Sequence, residues 1–256
     1  MLAAVSRDES SLSGGISSSK WTRRGTVVVE PLARLTASGS WIAIPCSSNN
    51  RKDCPKFARD YLSKPQIYTV ISADGKGATI HAKPTTLSEC FDYSGTGSYS
   101  GGVIANSAIA ASSANMFGES EPLRPLSRQD ASPILSLLAA EVPKKLDSIQ
   151  YLRLFSMELE GKGFYVVQRP FAENPQYERR GLIFGIGDAE PHRFHFLHWK
   201  QNTEDESERV LGTIRLKSGH DFLITVVNDP ESHFFRVYGI KGGHLALIYS
   251  GGGASC

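Results

Sequence analysis

Beyond residue 164, apolar residues recur at every second position over much of the chain. A period of two marks strands with one buried face. Leu182, Phe184 and Ile186 follow it, as do Phe194, Phe196 and His198, which interleave with His195, Leu197 and Trp199. Val210, Gly212, Ile214 and Leu216 predict one face of a strand, with Thr213, Arg215 and Lys217 on the other. Residues 222–227 are apolar on both faces, which predicts a strand in the middle of its sheet. Residues 164–167, 234–240 and 245–249 complete the set, with turn-like connections at 217–220, 228–232 and 241–243. Strands at about ten-residue spacing predict an antiparallel meander, sandwich or barrel in this half. No repeat supplies the blades of a propeller.

The first half is less regular. Residues 1–20 are rich in Ser and Gly and read as a flexible tail. The β-branched run at 26–29 and the segment 41–44 predict strands. Residues 55–62 predict a short helix, with Pro55 in its first turn, Asp53 as cap, and Phe57 and Tyr61 on one face. Residues 67–72 and 78–82 flank Asp74-Gly75, a hairpin signal. Residues 94–102 read as a Gly/Ser-rich surface loop, and 103–114 fit a helix or a strand equally well. A second helix is expected from Ser132-Pro133, with Ile134, Leu137 and Leu138 on one face and Pro143 as its stop. The expected class is mainly β with a minor α contribution. Its expected organisation is a tail (1–20), a small β-rich domain (21–117), a linker with a short helix (118–145) and a C-terminal antiparallel β domain (146–256).

Composition narrows the functions. Of 256 residues, 40% are hydrophobic and 21% charged, which excludes a wholly disordered chain. Twenty-eight basic against 26 acidic residues leave a net charge of +2, without the basic excess that DNA or RNA binding calls for. No apolar run approaches the roughly 20 residues of a spanning helix, so no membrane span is expected. The apolar patch at 2–5 is shorter than the roughly 7–15-residue core of a secretory signal. Yet four cysteines stand at 46, 54, 90 and 256. Cys46 and Cys54 bracket a polar loop, and a bridge from Cys256 to Cys90 would pin the Gly-rich end. Two disulfides and a secreted or periplasmic location are therefore expected, and a natural start upstream of Met1 would reconcile them with the missing signal.

Six of the seven histidines lie beyond residue 190 and carry most of the candidate chemistry. Asp188, His192 and His198, with Glu190 and His195 between or beside them, have the donor types of a zinc site. On a regular strand, His195 faces away from His192 and His198, so three ligands meet only across a bulge. The plainer reading is histidines interleaved with aromatics in a half-buried sheet. His220 and His244 both open strands at one end of the meander, with Asp221 beside the first, and together offer a general base. His233 falls at the opposite end. The run 95–101 has the composition of a phosphate-cradling loop without the strand and helix that such a loop needs. Ser100 is the nearest approach to a nucleophile elbow, which requires G-x-S-x-G. The acidic run at 204–208 lacks the spacing of a calcium loop and reads as a solvated connection.

Two functions follow. The favoured one is a soluble extracytoplasmic binding or structural protein for a small molecule, glycan or protein, presenting aromatics such as Trp199 and Tyr99. The alternative is a hydrolase of ester, lactone or glycoside type. It would use His195, His220, Asp221, His244 or Ser100, or a metal at 188–198. No cofactor is expected apart from that divalent metal.

Overall fold

The computed structural model describes residues 1–7, 24–44, 52, 54–72, 77–84, 94–102, 104, 107–141, 153–168, 181–190, 193–202, 207–228 and 232–255. The chain is mainly β, and every strand pairing is antiparallel.

Six strands close a barrel. β1 (Leu2–Arg7) pairs with β2 (Arg24–Leu35) on one side and β7 (Ser107–Ala111) on the other. The ring continues from β7 through β4 (Gln66–Val70), β5 (Thr79–Ala82) and β6 (Gly95–Ser100) back to β2. The two-residue β3 (Trp41–Ile42) extends the end of β2. The hairpin expected around Asp74-Gly75 is present as β4–β5.

Two expectations fail here. Residues 2–7 are not a tail. Ala3 and Val5 belong to the barrel core, while Leu2 and Ala4 pack on the next layer. Val5 stands opposite both Val29 and Ala108, so pairing on two sides supplies what local propensity does not. Nor is 95–100 a loop. It is a strand whose even positions face out and whose odd positions are buried. Its small residues fit a narrow lumen already filled by Tyr68, Tyr99, Val27, Val29 and Ile80. A Cβ at Gly97 would lie 3.0 Å from the His81 carbonyl, and one at Gly25 would lie 2.8 Å from the Tyr99 ring.

A helical turn, α1 (Cys54–Phe57), widens into a π-type turn at Ala58–Leu62, closed by the Ser63 N–H on the Ala58 carbonyl at 2.9 Å. Cys54, Phe57 and Leu62 bury against Ile44 and Met1.

The remaining strands form two sheets. One runs β12-β11-β10-β9-β8, from β8 (Arg124–Pro125), β9 (Arg153–Leu159), β10 (Lys162–Gln168), β11 (Gly181–Glu190) and β12 (Arg193–Asn202). The other is the meander β13 (Ser207–Arg215), β14 (Asp221–Asn228), β15 (Ser232–Lys241) and β16 (His244–Ser255). This second sheet is the middle layer. Phe222, Ile224, Val226, Ile214 and Phe235 pack on barrel residues Leu2, Leu32 and Ile109. On its other face, Leu223 and Tyr238 meet Met157, Leu159, Phe164 and Val166 of β9 and β10. All seven residues 221–227 are buried, as a central strand requires. The helix α2 (Arg128–Glu141) lays Ala131 and Ile134 on Leu154 and Val167.

Helix α2 starts four residues earlier than expected. Ser127 accepts the Asp130 N–H at 3.2 Å and donates to its carboxylate at 2.6 Å, a reciprocal cap. Pro133 lies inside the helix. The alternation expected along β13 also breaks. Val210 is opposite Thr225 and Gly212 opposite Ile224, so Leu211 is an extra residue. This bulge turns Val210 toward the outer sheet and Leu211 toward the barrel. The Gly-rich end is no fraying tail within the described residues. Gly252 and Gly253, both at positive φ, continue β16 where any Cβ would run into the carbonyls of Leu32 and His233.

Gly25→Val forces a branched side chain onto the Tyr99 ring, and we expect a loss of about 1–3 kcal/mol in urea unfolding. Gly118→Ala, whose nearest Cβ contact would be 3.6 Å away, should leave the midpoint nearly unchanged.

Candidate functional site

Three polar constellations stand out, and they differ in how completely the protein satisfies them. The first is sealed between the middle and outer sheets. Glu208 has 0% exposure, at the start of β13. Its Oε1 accepts from the Thr225 hydroxyl at 2.7 Å and the Tyr238 hydroxyl at 2.9 Å, and its Oε2 accepts from Arg236 Nη1 at 2.7 Å. Burial first, and then the Glu208 charge, push the Tyr238 phenol well above its ordinary range, so it stays a donor. The acidic run at 204–208 read as a solvated connection, but its last member is the core carboxylate of this layer.

The second lies at the other end of that sheet. Asp221, 3% exposed, takes Arg215 Nε on Oδ1 at 2.6 Å and Arg215 Nη2 on Oδ2 at 2.8 Å. Its Oδ2 also accepts the Glu160 N–H, at 2.7 Å, from the β9–β10 turn. The hydrogen bond to Asp221 holds the Arg215 guanidinium more firmly charged. Next to it, His220 Nδ1 lies 3.2 Å from Glu160 Oε1, with a side chain 53% exposed. The β2–β3 turn approaches here too, since a Cβ on Gly39 would lie 3.7 Å from His220 Cδ2. His244 opens β16 at this same end, exposed, with β15 between its strand and that of His220. Lys162 Nζ donates to the Gly243 carbonyl beside it. His233, at the far end, pairs through Nε2 with Glu30 of the barrel.

The third is a shallow cleft, open to solvent, at one end of the barrel. Val29, Pro31, Tyr61, Leu62, Gln66 and Tyr68 line it, with Lys64, Ala82, Lys83 and Gly95. The turn at 58–62 brings Tyr61 and Leu62 over strands β2, β4 and β5. Tyr68 is only 4% exposed, and its hydroxyl makes no hydrogen bond among the described residues. Burial pushes its phenol up to about 12, so at neutral pH it is a proton donor. Gln66 Nε2 donates to the Tyr61 carbonyl at 3.1 Å, which fixes the floor of the cleft.

The remaining sequence candidates fall elsewhere. His192 lies outside the described residues. Asp188 stands opposite His195 and Ile186 opposite His198, with one extra residue between the two pairs. Positions 195 and 198 therefore share a phase of the pleat, where unbroken alternation would set them apart. Among the described residues no three His, Cys, Asp or Glu side chains cluster as a metal site would require. Ser100 ends barrel strand β6 opposite Thr79 and Arg24, so neither a phosphate loop nor a nucleophile elbow exists there. Tyr99 is no exposed aromatic: at 2% exposure it fills the lumen. Cys54 is fully buried and disulfide-bonded, while Cys46, Cys90 and Cys256 lie outside the described residues.

No family model, curated protein or solved structure matches the chain. Sequence reasoning missed Glu160, Glu208, Arg215, Arg236 and Tyr68. One of them, Arg236, left a signal together with the Glu208 partner Thr225. Thr225 and Arg236 are polar residues inside otherwise apolar runs, and the register sets them opposite each other.

Glu208→Gln leaves Arg236 without its counter-charge, and we expect it to cost about 3–5 kcal/mol by chemical denaturation. Combining Glu208→Leu with Arg236→Met should recover most of that loss.

Proposed function

We propose that this chain is a non-catalytic, β-rich binding protein that works outside the cytoplasm and takes its ligand at the mouth of the barrel. The observation that carries this reading is Tyr68, whose side chain is almost wholly buried in the cleft wall while its hydroxyl has no protein partner among the described residues. A ligand acceptor placed there would gain a hydrogen bond of about 0.5–1.5 kcal/mol. Barrel mouths are common ligand sites, and this one opens to solvent, so a ligand can reach it from outside. The bonded state of Cys54 supports an oxidising compartment. In this reading Cys46 pairs with Cys54, and Cys90 with Cys256.

A second reading has its own observation. His220 is held through Nδ1 by Glu160, the way an imidazole base is oriented, which leaves Nε2 to take a proton in a hydrolase.

A fragment screen read by amide NMR separates the two. We expect hits to shift residues 61–68, 82–83 and 95, and Tyr68→Phe to weaken them about 5-fold or more. Hits that gather on Gly39, Glu160 and His220 would overturn the barrel-mouth reading in favour of the hydrolase. Thiol titration of denatured, unreduced protein should find no free thiol, and four would remove the case for an oxidising compartment.

A further inference from the structure

The barrel-mouth cleft has a chemical bias beyond its shape. Among the described residues no acidic side chain lines it, whereas two lysines do, from different elements. Lys64 follows the turn at 58–62, and Lys83 follows β5. Neither ammonium makes an ion pair or side-chain hydrogen bond among the described residues, and both side chains are exposed. The chain as a whole is close to neutral at +2, so this is a local excess and not part of a basic face. The charged groups that can reach a ligand are thus two ammoniums at the rim, and the Tyr68 hydroxyl at the wall adds a donor beside the Gln66 carbonyl. Val29, Pro31 and Leu62 offer an apolar surface, and Tyr61 adds an aromatic ring.

We infer that the site takes a small organic anion, a carboxylate or phosphate monoester on a body about the size of one ring. Lys64 and Lys83 would neutralise the anionic group while Tyr68 donates to one of its oxygens. The ring would lie against Leu62, Pro31 and Tyr61. This rests on the barrel-mouth reading and adds the ligand's charge. Charge-assisted bonds to a carboxylate or phosphate are roughly twice as strong as neutral ones, so a neutral analogue should bind measurably less well.

Three probes with one body test it: benzoate, phenyl phosphate and benzyl alcohol, each titrated into the full chain by amide NMR. At least one anion should bind about 10-fold or more tightly than the alcohol, and which one does identifies the group. The double variant Lys64→Gln with Lys83→Gln should remove that preference while leaving the affinity for benzyl alcohol unchanged. Both lysines are exposed, so the variant should keep the parent's thermal midpoint. Tyr68→Phe should weaken the preferred anion about 3–10-fold. Equal binding of the alcohol, or a preference that survives the double variant, would overturn the inference about charge and leave the cleft standing as a site. No shift at residues 61–68, 82–83 and 95 with any probe would instead remove the barrel-mouth reading itself.

Discussion

Between the barrel and the outer sheet lies a four-stranded layer with a neighbour on each side, and that enclosure governs what its strands can hold. Strand β14 is buried along 221–227, so neither of its faces can send a polar group to water. The barrel side solves this mostly with apolar residues, from Ile214 through Phe222 and Ile224 to Val237, and its Tyr249 hydroxyl donates to the Leu32 carbonyl at 3.2 Å. The outer side carries a carboxylate, Glu208, and can do so only because β14 brings Thr225 to it and β15 brings Arg236 and Tyr238. An isolated charge at that depth costs several kcal/mol, and partners must offset most of it. The arrangement also pins register. A two-residue slip of β13 keeps every side chain on its face yet takes Glu208 away from all three partners. The bulge at Leu211 belongs to the same solution: it shifts the alternation by one residue, so one strand presents Glu208 to the outer layer and Ile214 to the barrel.

The same enclosure sorts the candidate chemistry. The carboxylates deep between layers are taken up by the protein: Glu208 by its three donors, Asp221 by Arg215 and the Glu160 amide. Groups at the ends of layers are not. His220 keeps one ring nitrogen for solvent, and Tyr68 keeps its hydroxyl for the cleft. Reactivity or recognition in this fold therefore belongs at its ends, where turns and barrel mouth meet water, and the interior residues serve to hold those ends in place.

Periodicity made the C-terminal half legible. Two-faced apolarity at 222–227 marked the buried central strand, and short turns marked the meander. It failed where tertiary space overrides propensity. Strands β1 and β6 carry Ala, Ser and Gly where a strand usually carries branched residues, because a six-stranded lumen filled by Tyr68 and Tyr99 has no room for more. It also failed where one extra residue shifts the phase, as at Leu211 and between His195 and His198. Of the candidate site, sequence marked His220 and Asp221 as neighbours at a sheet end but not the Glu160 that binds both. That contact joins hairpins far apart in the chain, and no local pattern encodes it.

Barrel closure has a consequence for assembly. Leu2 lies opposite Ala111 and Val5 opposite Ala108, so the ring is completed by partners far apart in sequence. The meander β13–β16, by contrast, is stitched by turns of a few residues. Loop-closure entropy favours the near contacts, and chains dominated by distant pairings fold slowly. The middle sheet is therefore placed to form first and to offer Ile224 and Phe235 as the template on which Leu2, Leu32 and Ile109 gather. The strand that seals the cylinder is the one the kinetics leave until last.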